Sequence, residues 1–148
     1  MKQKILVIDD DPDVRKLVRI NLTSSGFQVL EAGEGQQGIE LARQHQPSLV
    51  LLDLMMPVMD GWTVLKELES DAATAGLPIV ILTALAHDEH VLMGMEAGAV
   101  EHLCKPFDLA GLNRCVTTTL ERAVSRRRED YRHGLIEKRR SFIQLRQA

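Results

Sequence analysis

Five short apolar runs recur about every 25 residues, and this alternation constrains the fold more than any other feature. The runs are Ile5–Ile8, Phe27–Leu30, Leu49–Leu52, Ile79–Leu82 and Val100–Cys104. Each is rich in Val, Ile and Leu without polar alternation, the pattern of strands buried on both faces of a parallel sheet. Helix-period segments lie between them. Val14, Leu17, Val18 and Leu22 share one helix face, Val64, Leu65 and Leu68 a second, and Leu109, Leu112, Val116 and Leu120 a third. Asp11 followed by Pro12 reads as an N-cap with proline at the first helical position, and Gly26 as the stop of that first helix. The expectation is an α/β chain, a (βα)5 doubly wound parallel sheet of the flavodoxin-like kind with strand order 2-1-3-4-5. In such a sheet ligands bind beyond the strand C-termini, where the strand order reverses.

Chemistry-bearing residues stand at those ends. The first run is followed by Asp9 and Asp10, the third by Asp53, the fourth by Thr83 and Ala84, and the fifth by Lys105 and Pro106. Asp10 and Asp53 suit Mg²⁺, which prefers oxygen ligands from one or two carboxylates plus waters. Lys105 supplies a point charge for a phosphoryl oxygen, Thr83 a hydrogen bond, and Ala84 leaves room. A carboxylate nucleophile forming an acyl phosphate needs positioning and charge neutralisation more than acid–base help. Singly, each residue reads equally well as a cap, a turn former or a solvated strand exit. Their occurrence at successive strand ends favours a shared site.

Composition bounds the alternatives. With 148 residues, 45% of them apolar and 26% charged, the chain suits one soluble domain plus an extension. No apolar run reaches the length of a membrane span and no secretory signal opens the chain, so a cytoplasmic protein without membrane contact is expected. Cys104 and Cys115 have no metal-ligand spacing and read as packed thiols. His45, His87, His90 and His133 read as surface residues, and Trp62 and the methionines as packing. The net charge of −3 is unevenly spread: residues 1–120 carry nine Lys/Arg against seventeen Asp/Glu, residues 121–148 nine against four. Direct nucleic-acid binding by this chain is not expected: its main part is acidic, and the basic end has interspersed acids and no following helix-turn-helix.

The stretches ILVIDDDP, LVLLDLMMPVMDGW, PIVILTA and AGAVEHLCKPF, between residues 4 and 108, resemble the response-regulator receiver family of two-component signal transduction, in its bacterial chemotaxis-regulator form. The resemblance implies a phosphorylation-activated switch and not a free-standing enzyme. It makes Asp53 the phosphoacceptor and Asp10 a direct Mg²⁺ ligand (Mn²⁺ could substitute), with Asp9 helping to hold the ion and the Met55 main-chain carbonyl as a third ligand. Thr83 would bond the phosphoryl group and drive the switch, and Lys105 would pair with a phosphoryl oxygen across a cis Lys105–Pro106 peptide. Gly61 fits the turn into the third helix. His102 stands where the family usually places a switch aromatic. Met55 and Leu85 lie where side chains influence attack of water on the acyl phosphate; both are apolar, so slow self-dephosphorylation is expected. The implied partner is a sensor histidine kinase or phosphotransfer protein, and the face of the fourth helix, fifth strand and fifth helix is a place for homodimer contact. A Mg²⁺-dependent phosphohydrolase would need a general acid at residue 55, which is Met; a phosphate-independent pseudo-receiver would be expected to lose part of the acidic set or the lysine.

The receiver is expected over residues 1–122, followed by a basic helical extension over 123–148. Positions 124, 128, 131, 135, 138, 142 and 145 alternate by four and three and hold Val, Arg, Tyr, Leu, Lys, Phe and Leu. Three readings stand: a dimerising helix, the start of a linker to an output domain, or a basic, partly disordered tail.

Overall fold

The computed structural model describes residues 2–84, 93–96 and 98–147. Five parallel strands, β1 (Lys4–Ile8), β2 (Gln28–Ala32), β3 (Leu49–Asp53), β4 (Ile79–Thr83) and β5 (Glu101–Cys104), form one sheet in the order β2-β1-β3-β4-β5. Helices α1 (Pro12–Ser24), α2 (Gly35–His45) and α3 (Gly61–Ser70) connect the first four strands, and a C-terminal helix spans Leu109–Gln147. Of the expected fourth helix, residues 93–96 are described and helical; Leu85, His87 and His90 lie outside the described residues.

Strand alternation sends successive side chains to opposite faces, and each face has its own core. Ile8, Leu52 and Ile81 pack with Ile39 and Ala42 of α2 and with Val64, Leu65 and Leu68 of α3. Val7, Leu51 and Leu82 pack with Val18 and Leu22 of α1 and with Leu112, Val116 and Leu120 of the C-terminal helix. The central strands β3 and β4 are buried throughout, whereas the edge strands β2 and β5 are mostly half-buried. The expected double burial therefore holds for the interior strands and weakens at the edges.

Local signals terminate the helices as their chemistry dictates. Asp11 caps α1, its carboxylate accepting from the Asp13 N–H at 2.9 Å, with Pro12 following. Gly26 lies just past the end of α1 at φ +95°, a conformation that costs glycine little. Asp60 caps α3, accepting from the Thr63 N–H at 2.9 Å.

Two expectations of burial are corrected. Leu17 and Leu109 were placed on apolar helix faces, yet both are about half exposed, because the cores are closed by Val18, Leu22 and Leu112 instead. Met55, Met93 and Met95 are exposed and contribute no core packing, while Met56 is buried. The cysteines are free and half-buried, and Cys115 packs against the second core as expected.

The C-terminal helix runs 39 residues through the expected 122/123 boundary without a break, a length of about 58 Å at 1.5 Å per residue. Leu120 is its last buried apolar residue among those described; Val124, Leu135, Ile136, Phe142, Ile143 and Leu145 are exposed. The helix thus belongs to the sheet's core over its first three turns, flanks grooves shared with Gln3, Gly76 and Pro78 as far as Asp130, and extends as an exposed rod thereafter.

Candidate functional site

The strand ends assemble an acidic pocket. β1 stops at Ile8, so Asp9 is the first residue beyond the sheet; Asp53 ends β3 beside it. Asp9 is fully buried, Asp53 nearly so, and Asp10 is exposed. One carboxylate oxygen from each of the three can be chosen so that all lie within 4.8 Å of one another. Lys105, just past β5, reaches back across β4: its Nζ lies 2.7 Å from Asp9 Oδ2 and 3.4 Å from Asp53 Oδ2. The Lys105–Pro106 peptide is cis, and the Lys105 N–H donates to the Thr83 carbonyl at 2.8 Å. Thr83 ends β4 as a buried residue between these groups in strand order.

Backbone donors fix the acids. The Met55 N–H donates to Asp53 Oδ1 at 3.1 Å, and the Asp11 N–H to Asp9 Oδ1 at 2.9 Å. Asp9 Oδ2 lies 2.7 Å from the Lys105 ammonium, a charge-assisted contact in a buried setting. A buried carboxylate is costly unless it is paired in this way. The electrostatics agree. Burial, with Asp9 adding repulsion, pushes the Asp53 carboxyl up to about 6 against the opposing pull of the Met55 N–H and Lys105. Burial works to lower the Lys105 ammonium, but Asp9 and then Asp53 outweigh it and its acidity is weakened. Two crowded, buried carboxylates with an exposed third alongside form a hard all-oxygen donor set that fits a small divalent cation.

The loop after β3 is held tightly. A Cβ on Gly61 would fall 2.2 Å from the Asp53 carbonyl oxygen, so α3 can start this close to the site with glycine alone. The Gly61 N–H donates to the Leu54 carbonyl at 3.0 Å. Between them, Val58 adopts φ +66° and the Met59 N–H bonds the Pro57 carbonyl at 2.8 Å, a tight three-residue turn that is strained for a β-branched side chain.

Not every candidate joins the pocket. Met55 is largely exposed at its rim. Ala84 is exposed and lines, with Val14, Leu17, Pro106 and Phe107, an apolar groove that opens beside Lys105. His102 sits apart: it pairs with Ile81 in the sheet, and its Nδ1 lies 3.5 Å from Glu101 Oε1 in a groove beside the C-terminal helix. Sequence reasoning missed Arg15, whose Nη1 donates to the Asp9 carbonyl at 2.6 Å from one turn into α1. The one available signal was a cation following the acid cluster.

Residues 5–117 match the response regulator receiver domain family. The chain belongs to that family. This receiver is 44% identical over 119 residues to the DNA-binding dual master transcriptional regulator RpaA of Synechocystis, covering 80% of this chain and 49% of the relative. It is 43% identical over 107 residues to the DNA-binding response regulator MtrA of Mycolicibacterium smegmatis, covering 72% and 46%. The chain thus spans about half the length of the curated relatives it matches. Among solved structures, the receiver superposes on the Vibrio cholerae chemotaxis protein CheY4 with a TM-score of 0.77 at 27% identity, covering 80% of this chain and 99% of that one. It superposes on the Francisella response regulator 1452 receiver domain with a TM-score of 0.76 at 28% identity, covering 82% and 98%. The sheet order and the flanking helices are those of a chemotaxis-regulator fold, and the receiver is a signalling switch of two-component systems. Among the described residues, no helix is long and apolar enough to cross a membrane.

Proposed function

We propose that Asp53 accepts a phosphoryl group from a sensor histidine kinase or a phosphotransfer protein in a Mg²⁺-dependent reaction. The observation that carries this reading is the Lys105 ammonium spanning Asp9 and Asp53 within a cluster of three carboxylates. Asp10 and Asp53 would hold the ion directly, with Asp9 behind them and the Met55 carbonyl as a further ligand. When bound, Mg²⁺ supplies positive charge against the three carboxylates and the incoming phosphoryl oxygens.

The chain's own groups account for the rest. With its carboxyl near 6, Asp53 is mostly ionised at neutral pH and is a competent nucleophile toward phosphorus. As the acyl phosphate forms, the phosphorus–nitrogen bond of the donor histidine breaks and the imidazole leaves. Lys105, already within reach of Asp53, pairs with a phosphoryl oxygen in place of one carboxylate contact. Thr83 bonds another oxygen, Ala84 leaves the space, and movement at Thr83 is passed to His102 on β5. This self-catalysed chemistry makes the chain a switch in the cytoplasm, not an enzyme acting on separate substrates.

The division into a receiver at 1–122 and an extension at 123–148 fits the burial, which ends at Leu120. The exposed apolar residues of the extension support a homodimer of parallel rods, and the acidic receiver makes no direct contact with nucleic acid. Acetyl phosphate with Mg²⁺ tests the central reading: mass spectrometry should find one phosphoryl adduct per chain, absent in Asp53→Asn. Equal labelling of that variant would sink the assignment.

A further inference from the structure

We infer that Arg15 is a positioning residue for the metal ligands, resting on the Mg²⁺ reading above. β1 ends at Ile8, so the Asp9 carbonyl has left the ladder and needs a partner from elsewhere. Arg15 provides it, Nη1 to carbonyl oxygen, at 2.6 Å. That carbonyl belongs to the peptide joining Asp9 to Asp10, so the guanidinium sets the plane from which both acids emerge. The other groups of Asp9 are pinned as well: its N–H donates to the Ala32 carbonyl at 3.1 Å and its carboxylate is held by the Asp11 N–H and Lys105. Asp10 is exposed and has no comparable anchor of its own, and it inherits its orientation from this peptide.

The guanidinium is itself braced. Arg15 Nε lies 3.6 Å from Glu31 Oε1 on β2, and Arg19 Nη1 holds the other oxygen of Glu31 at 2.7 Å. A Cβ on Gly33 would stand 3.2 Å from Arg15 Nη1, so the bare backbone there leaves the guanidinium its place. Edge strand, first helix and metal ligands are thereby joined through one side chain.

The sign of the effect separates positioning from charge. Arg15 is a cation near a cation site, and its removal by electrostatics alone would tighten metal binding. Loss of positioning would weaken it, by about tenfold or more as for other groups that orient metal ligands. Mg²⁺ demands near-octahedral geometry and Ca²⁺ tolerates irregular shells, so the loss should be larger for Mg²⁺.

The experiment measures Mn²⁺ binding to the full chain by electron paramagnetic resonance of the free ion, with Mg²⁺ and Ca²⁺ as competitors. Arg15→Met should weaken Mg²⁺ about tenfold, with a smaller loss for Ca²⁺. Arg15→Lys, which preserves the charge but not the fork, should fall between the two. Unchanged or tighter Mg²⁺ binding in Arg15→Met overturns the role; if that variant fails to fold, wild-type affinity in Arg15→Lys overturns it. A wild-type chain that binds no Mn²⁺, or binds it equally after Asp10→Asn, overturns the metal reading and the Arg15 role with it.

Discussion

At the scale of single residues, Asp53 carries a stability consequence distinct from its chemistry. Its carboxyl is raised from 3.8 to about 6, chiefly by burial, so the folded chain holds this proton more tightly than the unfolded one. The contribution is fully present below pH 3.8 and is lost as pH rises through 6. In metal-free buffer at pH 7, Asp53→Asn should therefore be more stable than wild type, by on the order of 2 kcal/mol, and the gap should close at acid pH. Urea unfolding at pH 7 and pH 4 in the presence of a chelator measures both. Met55 carries a kinetic consequence. An exposed thioether at the rim cannot orient water, so the aspartyl phosphate should outlast many minutes, and Met55→Asn should shorten that lifetime. Decay of the adduct after removal of acetyl phosphate reads it directly; a wild-type half-life of seconds counts against the argument.

Among the elements, the β3–α3 loop and the C-terminal helix depart furthest from regularity. Val58 is fully exposed at φ +66°, so it has strain without packing to offset it. Val58→Gly should raise stability by about 1 kcal/mol, the relieved strain exceeding glycine's added unfolded-state freedom. A lower urea midpoint for this variant would show that the side chain has a role the exposed position does not suggest. On the C-terminal helix, Leu135 and Phe142 are seven residues apart, and Leu145 and Val124 fall on the same narrow stripe, the geometry of a two-helix seam. Arg132, Arg139 and Arg146 line one flank of it, and like-charge crowding favours parallel over antiparallel self-pairing. Sedimentation should show a dimer that Leu135→Glu with Phe142→Glu converts to monomer.

At the scale of the whole molecule, the architecture was legible because buried parallel strands announce themselves as unbroken apolar runs. Strand ends then placed Asp9, Asp53, Thr83 and Lys105 side by side without any tertiary information. What stayed illegible depends on contacts that leave no periodic mark. Arg15 binds a carbonyl, and a carbonyl is invisible in side-chain pattern. Leu17 matches the period of α1, but its surroundings form a groove rather than a core. Edge strands β2 and β5 look like interior ones in sequence and are half-exposed in fact. Because burial ends at Leu120, a chain truncated after Ala123 should keep its cooperative unfolding and its Asp53 labelling. Loss of either would mean that the rod contributes to the receiver's fold.

The uninterrupted C-terminal helix makes the molecule a lever. From Ala123 to Gln147 the rod is about 36 Å long at 1.5 Å per residue, while its root packs against α1 and β5. A tilt of about 10° at that root would sweep the tip through about 6 Å at this length, more than a full helical pitch. A change in how the root is seated would thus be delivered, at a distance, as a movement large enough to change which surfaces meet.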